Sequence, residues 1–577
     1  MELTDEQLML LEQLTYLDKD VADQACVDLD ESASTVAEII EPFLKKPGAL
    51  DKLQNSTKET ISGGVMQGNE WAAIIRAVED DPELMNLNVN VTYTGKSNKT
   101  IDKIVFTEEN GDPKQAVVAF RGTLDGKEWN DNFYGFDHAD TPCQQEALRF
   151  INGLPYDDIT VVGHSKGGNK AQYVTLLSDK VTRCLSMDGQ GFSPEFLEKY
   201  WAEIQARGGL INNYSLSNDF VHGIIYRVPG SNQVYFLGDG MASAAENHSP
   251  CSYFQFIFDK DGNAILSTTD GHIRLIECDE DGGLVYIHQF FNYVENNMTD
   301  EERASIRDLL GPILAMTIGG GIQINGVDYS GSEDAIKYLS AHQDSAAILL
   351  GYLFKYVYTY ELSDKEIADM LRSFGFGEIA DGFEKFAKDH PKLYELAGGS
   401  LRKIIEQLGD GKDDKIINAI LKELTKLLKD KGIDIDLVKL WKDTEDVYSS
   451  IEIKDKEAAI AEPTLRKDKT YDYSKEAYDA IMSTITDFQN CLFDIVDWSK
   501  YESEKWYNSF FISLTMKAVN GYIDGVYDEM NEAKTLIEKA FENEWNVDDS
   551  SAGKITPYKS AVVARKGKYK SLITRLK

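Results

Sequence analysis

The run Ile159-Thr160-Val161-Val162-Gly163-His164-Ser165-Lys166-Gly167-Gly168 sets a serine between two glycines, directly after a β-branched stretch. A hydroxyl becomes a useful nucleophile on a tight strand-to-helix turn, and side chains in place of Gly163 and Gly167 would crowd that turn. Ser165 is therefore the candidate nucleophile, expected to stand exposed with its hydroxyl pointing outward at a helix N-terminus. There the N–H of Lys166 and the helix dipole can meet a developing oxyanion. Such chemistry is acyl transfer.

Serine attack needs a base, and the base needs an orienting carboxylate; on a turn of this kind the chain order is Ser, Asp, His. Two acids follow apolar strand-like runs. Asp219 comes just after Tyr214-Ser215-Leu216-Ser217-Asn218, and Asp188 stands in Met187-Asp188-Gly189-Gln190-Gly191. Asp219 is preferred, because carboxylates at strand ends are aimed at the site, and Asp188 is the fallback. Among the histidines, His138 and His164 precede Ser165, and His222 is only three residues from Asp219 in one loop, a poor span for a bridge. His248 follows a strand-like run, Val234 to Leu237, and the loop Gly238 to Asn247, and is the candidate base.

These residues need a scaffold. From Asn88 onward Val89, Val91 and Tyr93 alternate, Ile104-Val105-Phe106 precedes a turn at Asn110-Gly111, and Ala116 to Phe120 is continuously apolar, which reads as strands. Helical and strand signals then alternate: helix Pro142 to Leu154, strand Ile159 to Val162, helix Gly168 to Leu177, strand Val181 to Met187, helix Pro194 to Ala206, then strands Asn213 to Leu216 and Val234 to Leu237. That alternation predicts an α/β fold with a mostly parallel sheet. Residues 3 to about 85 read as helices, the first capped by Thr4 with Leu8, Leu11 and Leu14 on one face, and Trp71 to Val78 shows similar spacing. Beyond about residue 290 helical periodicity dominates, as in Ile416, Ile420, Leu424 and Leu428. Gly409 to Asp414 and Ala459 to Lys469 read as linkers, and Ser474 to Val496 with Lys505 to Phe541 as a helical hairpin. The expected domains are an N-terminal helical segment 1–85, an α/β-hydrolase domain 86–290, a helical region 291–460 and a hairpin with a basic tail 464–577.

Within 86–290 the strand Val117-Val118-Ala119-Phe120-Arg121-Gly122-Thr123, followed by Gly163-His164-Ser165-Lys166-Gly167-Gly168, resembles the class 3 lipases, and more closely a bacterial lipase-like family of unassigned function. The resemblance implies an α/β-hydrolase in which the N–H of Thr123 is the second oxyanion donor. It also implies that Arg121 braces the loop, against the alternative of an ordinary surface ion pair. Asp219 before an apolar residue, and His248 followed shortly by Tyr253, match the same pattern. Lys166 stands where these lipases more often carry a hydrophobic residue. The aromatic run Trp129 to Phe136 follows the oxyanion strand and reads either as an acyl-chain wall or as core. Trp498 in the C-terminal hairpin resembles type VII secretion substrates, although Trp498-Ser499-Lys500 lacks their glycine.

Composition bounds the partners. The 577 residues are 42% hydrophobic and 27% charged, with a formal net charge of -37, a field that disfavours nucleic acid and anionic lipid. The basic tail from Lys554 to Lys577 is the exception and reads as a solvated end. Six cysteines without CxxC spacing suggest neither a disulfide scaffold nor zinc, so no metal or cofactor is expected. The N-terminus lacks the pattern of a secretory signal, and Ala346 to Tyr360 is short of the about 20 apolar residues that a membrane helix needs, so cytoplasmic residence without a transmembrane segment is expected. The expected substrate is a short or medium acyl ester or a single-chain lipid, because Lys166 makes the nucleophile's surroundings polar. A different class of function stays open: an inactive hydrolase-fold platform whose helical half binds a protein partner or serves export.

Overall fold

Eight strands form one sheet: β1 Leu87–Thr94, β2 Thr100–Glu108, β3 Gln115–Phe120, β4 Asp158–His164, β5 Val181–Met187, β6 Ile211–Leu216, β7 Asn232–Phe236 and β8 Glu277–Cys278, lying side by side in that order. Pairs β3·β4 through β6·β7 are parallel, whereas β1·β2, β2·β3 and β7·β8 are antiparallel. Connection length accounts for β1·β2 and β2·β3, where a few residues allow only a hairpin, and for the parallel pairs, whose return needs a crossover. The central strands are covered on both faces. Ile159, Val161 and Val162 of β4 and Cys184, Leu185 and Met187 of β5 are fully buried, the continuous apolar reading typical of parallel strands. The computed structural model describes most of residues 2–373 and 435–463. The stretches 57–58, 61–65, 95–99, 124–125, 239–247 and 318–320, some single positions, nearly all of 374–434 and all of 464–577 lie outside the described residues.

Helices cover the sheet. Helix α1, Asp5–Gln13, is capped by Thr4 in a reciprocal arrangement with Gln7, and α2, Gly68–Glu79, buries Trp71, Ile74, Ile75 and Val78. With Leu8, Leu11 and Leu14 they share one core with Val117, Ala119, Val162, Leu185 and Leu216, so the N-terminal helices cover one sheet face. Helix α3, Gly126–Tyr134, comes next. Then α4, Pro142–Gly153, lies beside α5, Lys166–Leu177, which packs on β4 and β5. The helix expected over Pro194 to Ala206 is two: α6, Pro194–Lys199, and α7, Trp201–Arg207. Tyr200 between them leaves helical geometry (φ -110, ψ 27) and its hydroxyl donates to Asp140 at 2.7 Å.

The later described chain is mainly helical, with α8 Gly282–Asn297, α9 Asp300–Thr317, α10 Gln343–Thr359 and α11 Leu437–Ser450. Strand structure does persist there, in the hairpin of Ile322–Ile324 and Val327–Tyr329, and a further hairpin of Phe256–Phe258 with Ala264–Leu266 precedes α8. Helix α10, within the most apolar stretch, packs against α11 and α9. Among the described residues no helix is long and apolar enough to cross a membrane. The described residues all belong to one compact unit within Met1–Thr464. The Gly409 linker, the Ile416 to Leu428 periodicity, the C-terminal hairpin with Trp498 and the basic tail all fall outside the described residues.

Candidate active site

Strand β4 ends at His164, α5 starts at Lys166, and Ser165 makes the corner with φ 57 and ψ -123. That backbone is left-handed for a residue with a Cβ and costs about 1–3 kcal/mol, held in place by the structure around it. The flanking glycines let the corner close. A Cβ on Gly163 would stand 2.4 Å from the Gly167 carbonyl, and one on Gly167 only 2.0 Å from the Phe120 oxygen. The Ser165 N–H donates to Met187 O at 2.8 Å, tying the corner to β5. Ser165 does not stand exposed: only 9% of its surface is accessible, because neighbouring strand ends and His248 enclose it.

The hydroxyl of Ser165 donates to His248 Nε2 at 2.8 Å, and His248 Nδ1 donates to Asp219 Oδ2 at 2.5 Å. Asp219 is fully buried and its other oxygen accepts the Val221 N–H at 2.6 Å, which fixes the carboxylate at the end of β6. Burial pushes the His248 imidazole down, but the charge and hydrogen bond of Asp219 outweigh it and raise the ring above its ordinary value. The structure thus brings together three residues singled out from the sequence, although 83 positions separate Ser165 from His248.

The fallback acid does not reach His248. Asp188, also fully buried, accepts the Leu216 N–H at 2.9 Å and the Tyr253 hydroxyl at 2.5 Å. Burial, then the Asp219 charge, raise it to about 6. His222 lies 3.5 Å from Asp188 and 3.2 Å from Glu280, and does not bridge Ser165.

Thr123 and Lys166 start the two segments that flank Ser165. A Cβ on Gly122 would lie 3.2 Å from Ser165 Cβ, so the end of β3 abuts the corner. Among the described residues neither the Thr123 nor the Lys166 N–H donates to another backbone group, and the Thr123 hydroxyl accepts from Asn132 Nδ2 at 3.1 Å. The Lys166 side chain corrects an expectation. It is buried and paired with Asp131 at 2.7 Å, so its charge is directed to α3 and away from the surroundings of Ser165. Burial pushes the Asp131 carboxyl up, yet Lys166 and hydrogen bonds from Thr141 and Cys143 hold it below the ordinary range. One turn on, Lys170 pairs with Glu128 at 2.5 Å, a second tie between α5 and α3.

Arg121 is buried: it donates to Thr15 O at 3.1 Å, lies over the Tyr16 ring, and pairs with Asp18 at 3.6 Å, an ion pair below the surface. The sequence reading missed Tyr16. Its hydroxyl accepts the Gly122 N–H at 3.0 Å and donates to His164 Nδ1 at 2.8 Å, joining the segment after β3 to the residue before Ser165. His164, whose ring is 4.7 Å from that of His248, is held uncharged by burial and then by His248. No local pattern marks Tyr16, since its partners are 106 and 148 positions away. In the aromatic run, Phe133 and Phe136 stack at 5.3 Å, and Phe136 meets Phe291 of α8. They are core between helices, one of the two readings of that run.

The family model described as Mbeg1-like matches residues 92–211. No curated protein matches the chain. A solved structure described as the crystal structure of M37 lipase is similar at 13% sequence identity, covering 39% of this chain and 71% of that one, with a TM-score of 0.23. The family likeness over 92–211, a span that runs from within β1 to the start of β6 and contains the Ser165 corner, supports a lipase-like fold at family level.

Proposed function

We propose that this chain is a serine-dependent acyl-ester hydrolase. The observation that carries the reading is the unbroken hydrogen-bond chain from Ser165 through His248 to Asp219. In the proposed cycle His248 takes the Ser165 proton as the hydroxyl attacks the ester carbonyl, then returns it to the leaving alcohol. Asp219 holds the imidazole in the tautomer with hydrogen on Nδ1 and stabilises its charged form. The N–H groups of Thr123 and Lys166 receive the oxyanion. Water then releases the acyl group by the same steps.

For the substrate we propose an ester met in solution or as a single-chain lipid. With Lys166 neutralised by Asp131, the support that remains is the net charge of -37, which repels anionic interfaces. The test is labelling by a fluorophosphonate, with the adduct mapped by peptide mass. A tag on Ser165 supports the hydrolase; an untagged, folded chain favours the inactive platform. Rates on butyrate, octanoate and palmitate esters below and above aggregation then address the substrate. A jump on palmitate only after aggregation would replace this substrate class with an interfacial one.

A further inference from the structure

Behind the Asp219–His248 pair lies a second set of buried charges that the proposed chemistry leaves unused. Asp188 and Asp219 follow the ends of the neighbouring parallel strands β5 and β6, and one oxygen of each, with one nitrogen of His222, all lie within 4.8 Å of one another. All three residues are buried. Two carboxylates this close in a dry setting do not both stay ionised unless a counter-charge is present. The Leu216 N–H and the Tyr253 hydroxyl give Asp188 dipoles but no charge.

We infer that His222 supplies that charge. It is a positioning residue: a buried cation between Asp188 and Glu280 that lets Asp188 and Asp219 be negative side by side, leaving Asp219 free to hold His248. The inference rests on the hydrolase reading above.

The surroundings of His222 leave it as the cation for this task. On the site side stand Asp188, Asp219 and His248, with Tyr253 against Asp188. On the far side Glu280, just before α8, accepts from His222 Nε2 at 3.2 Å, and the ring of Tyr235 on β7 is 5.4 Å away. Arg227 is the other nearby cation, but it is taken up by Glu462 at 2.7 Å and by the Tyr235 hydroxyl at 2.7 Å. His288 of α8 lies 3.1 Å from Glu462 and 3.9 Å from Glu280, on the side away from Asp188 and Asp219. Burial pushes the His222 ring down, yet the carboxylates of Asp188 at 3.5 Å and Glu280 at 3.2 Å carry it up to about 9, so the ring is positive at neutral pH.

The test is the pH dependence of kcat/KM on a chromogenic ester for the full chain, for His222→Gln, and for His222→Gln combined with Asp188→Asn. Glutamine keeps a donor for Glu280 but no charge, so a proton must settle on the Asp188–Asp219 pair. The acid limb of the single variant is expected to move up by about one pH unit, so that kcat/KM falls by about two- to fivefold at neutral pH and by about tenfold well below the limb, with KM unchanged. Removing the Asp188 charge as well should bring the limb back close to its starting position. Asparagine can still accept from Leu216 and bond Tyr253. An unmoved limb in His222→Gln, or a double variant no better than the single one, overturns the assignment. Should His222→Gln fail to fold, a folded and active double variant supports the charge balance and an unfolded one overturns it. A full chain that hydrolyses no ester and takes no fluorophosphonate removes the hydrolase reading itself, and this inference with it.

Discussion

The hydroxyl of Tyr16 lies 2.8 Å from His164 Nδ1 while it accepts the Gly122 N–H at 3.0 Å. One oxygen from the turn after α1 therefore sets the spacing between the strand end that carries Thr123 and the corner that carries Ser165. The N-terminal segment does more than cover a sheet face, because the turn after α1 ties together the segments that carry the two proposed oxyanion donors.

Tyr16→Phe should then lower kcat about tenfold while leaving KM nearly unchanged, since the buried Gly122 N–H loses its acceptor at a cost of about 1–3 kcal/mol. Steady-state kinetics beside thermal unfolding checks this. An unaltered kcat in a folded variant would show that the tie does not serve the reaction.

Asp219→Asn removes the charge that raises the His248 ring above 6.5. The acid limb of the pH profile should move to lower pH, because without its anion the imidazole stays neutral down to lower pH. The maximal kcat should fall by about 10³–10⁴-fold, as expected when the base loses its tautomer. A limb that moves upward, or a loss below tenfold, would speak for another acid.

Lys166→Met strands the buried Asp131 carboxylate and should destabilise the fold by about 3–5 kcal/mol, whereas Lys166→Met with Asp131→Leu should recover most of that. The sign with pH follows from Asp131, whose folded value is held below the ordinary 3.8. Its contribution is full above that ordinary value and is lost as pH falls through the folded value. Denaturant melts from pH 7 down to 3 should show the unaltered chain losing more stability on acidification than the double variant does.

How much of this could be read from the sequence follows the range of each interaction. The Ser165 corner was legible because strand, glycines and helix are contiguous, and the steric demand of Gly163 and Gly167 is local. Asp219 and His248 were legible through chain order along the sheet. The partners of Lys166 and Arg121 were not, since a cation in sequence shows neither its burial nor the Asp131 or Thr15 oxygen that receives it. Tyr16, and Glu280 beside His222, were invisible for the same reason. The parallel strands declared themselves by alternating with helices, while the hairpin at Phe256–Phe258 was too short to leave a pattern.

The most direct measurement is ester turnover by the full chain and by Ser165→Ala, with thermal unfolding as control. The account predicts that Ser165→Ala unfolds at a comparable temperature, because among the described residues the lost hydroxyl bonds His248 alone, and that it falls to the uncatalysed background on a chromogenic ester. Turnover by Ser165→Ala at the rate of the unaltered chain would contradict it.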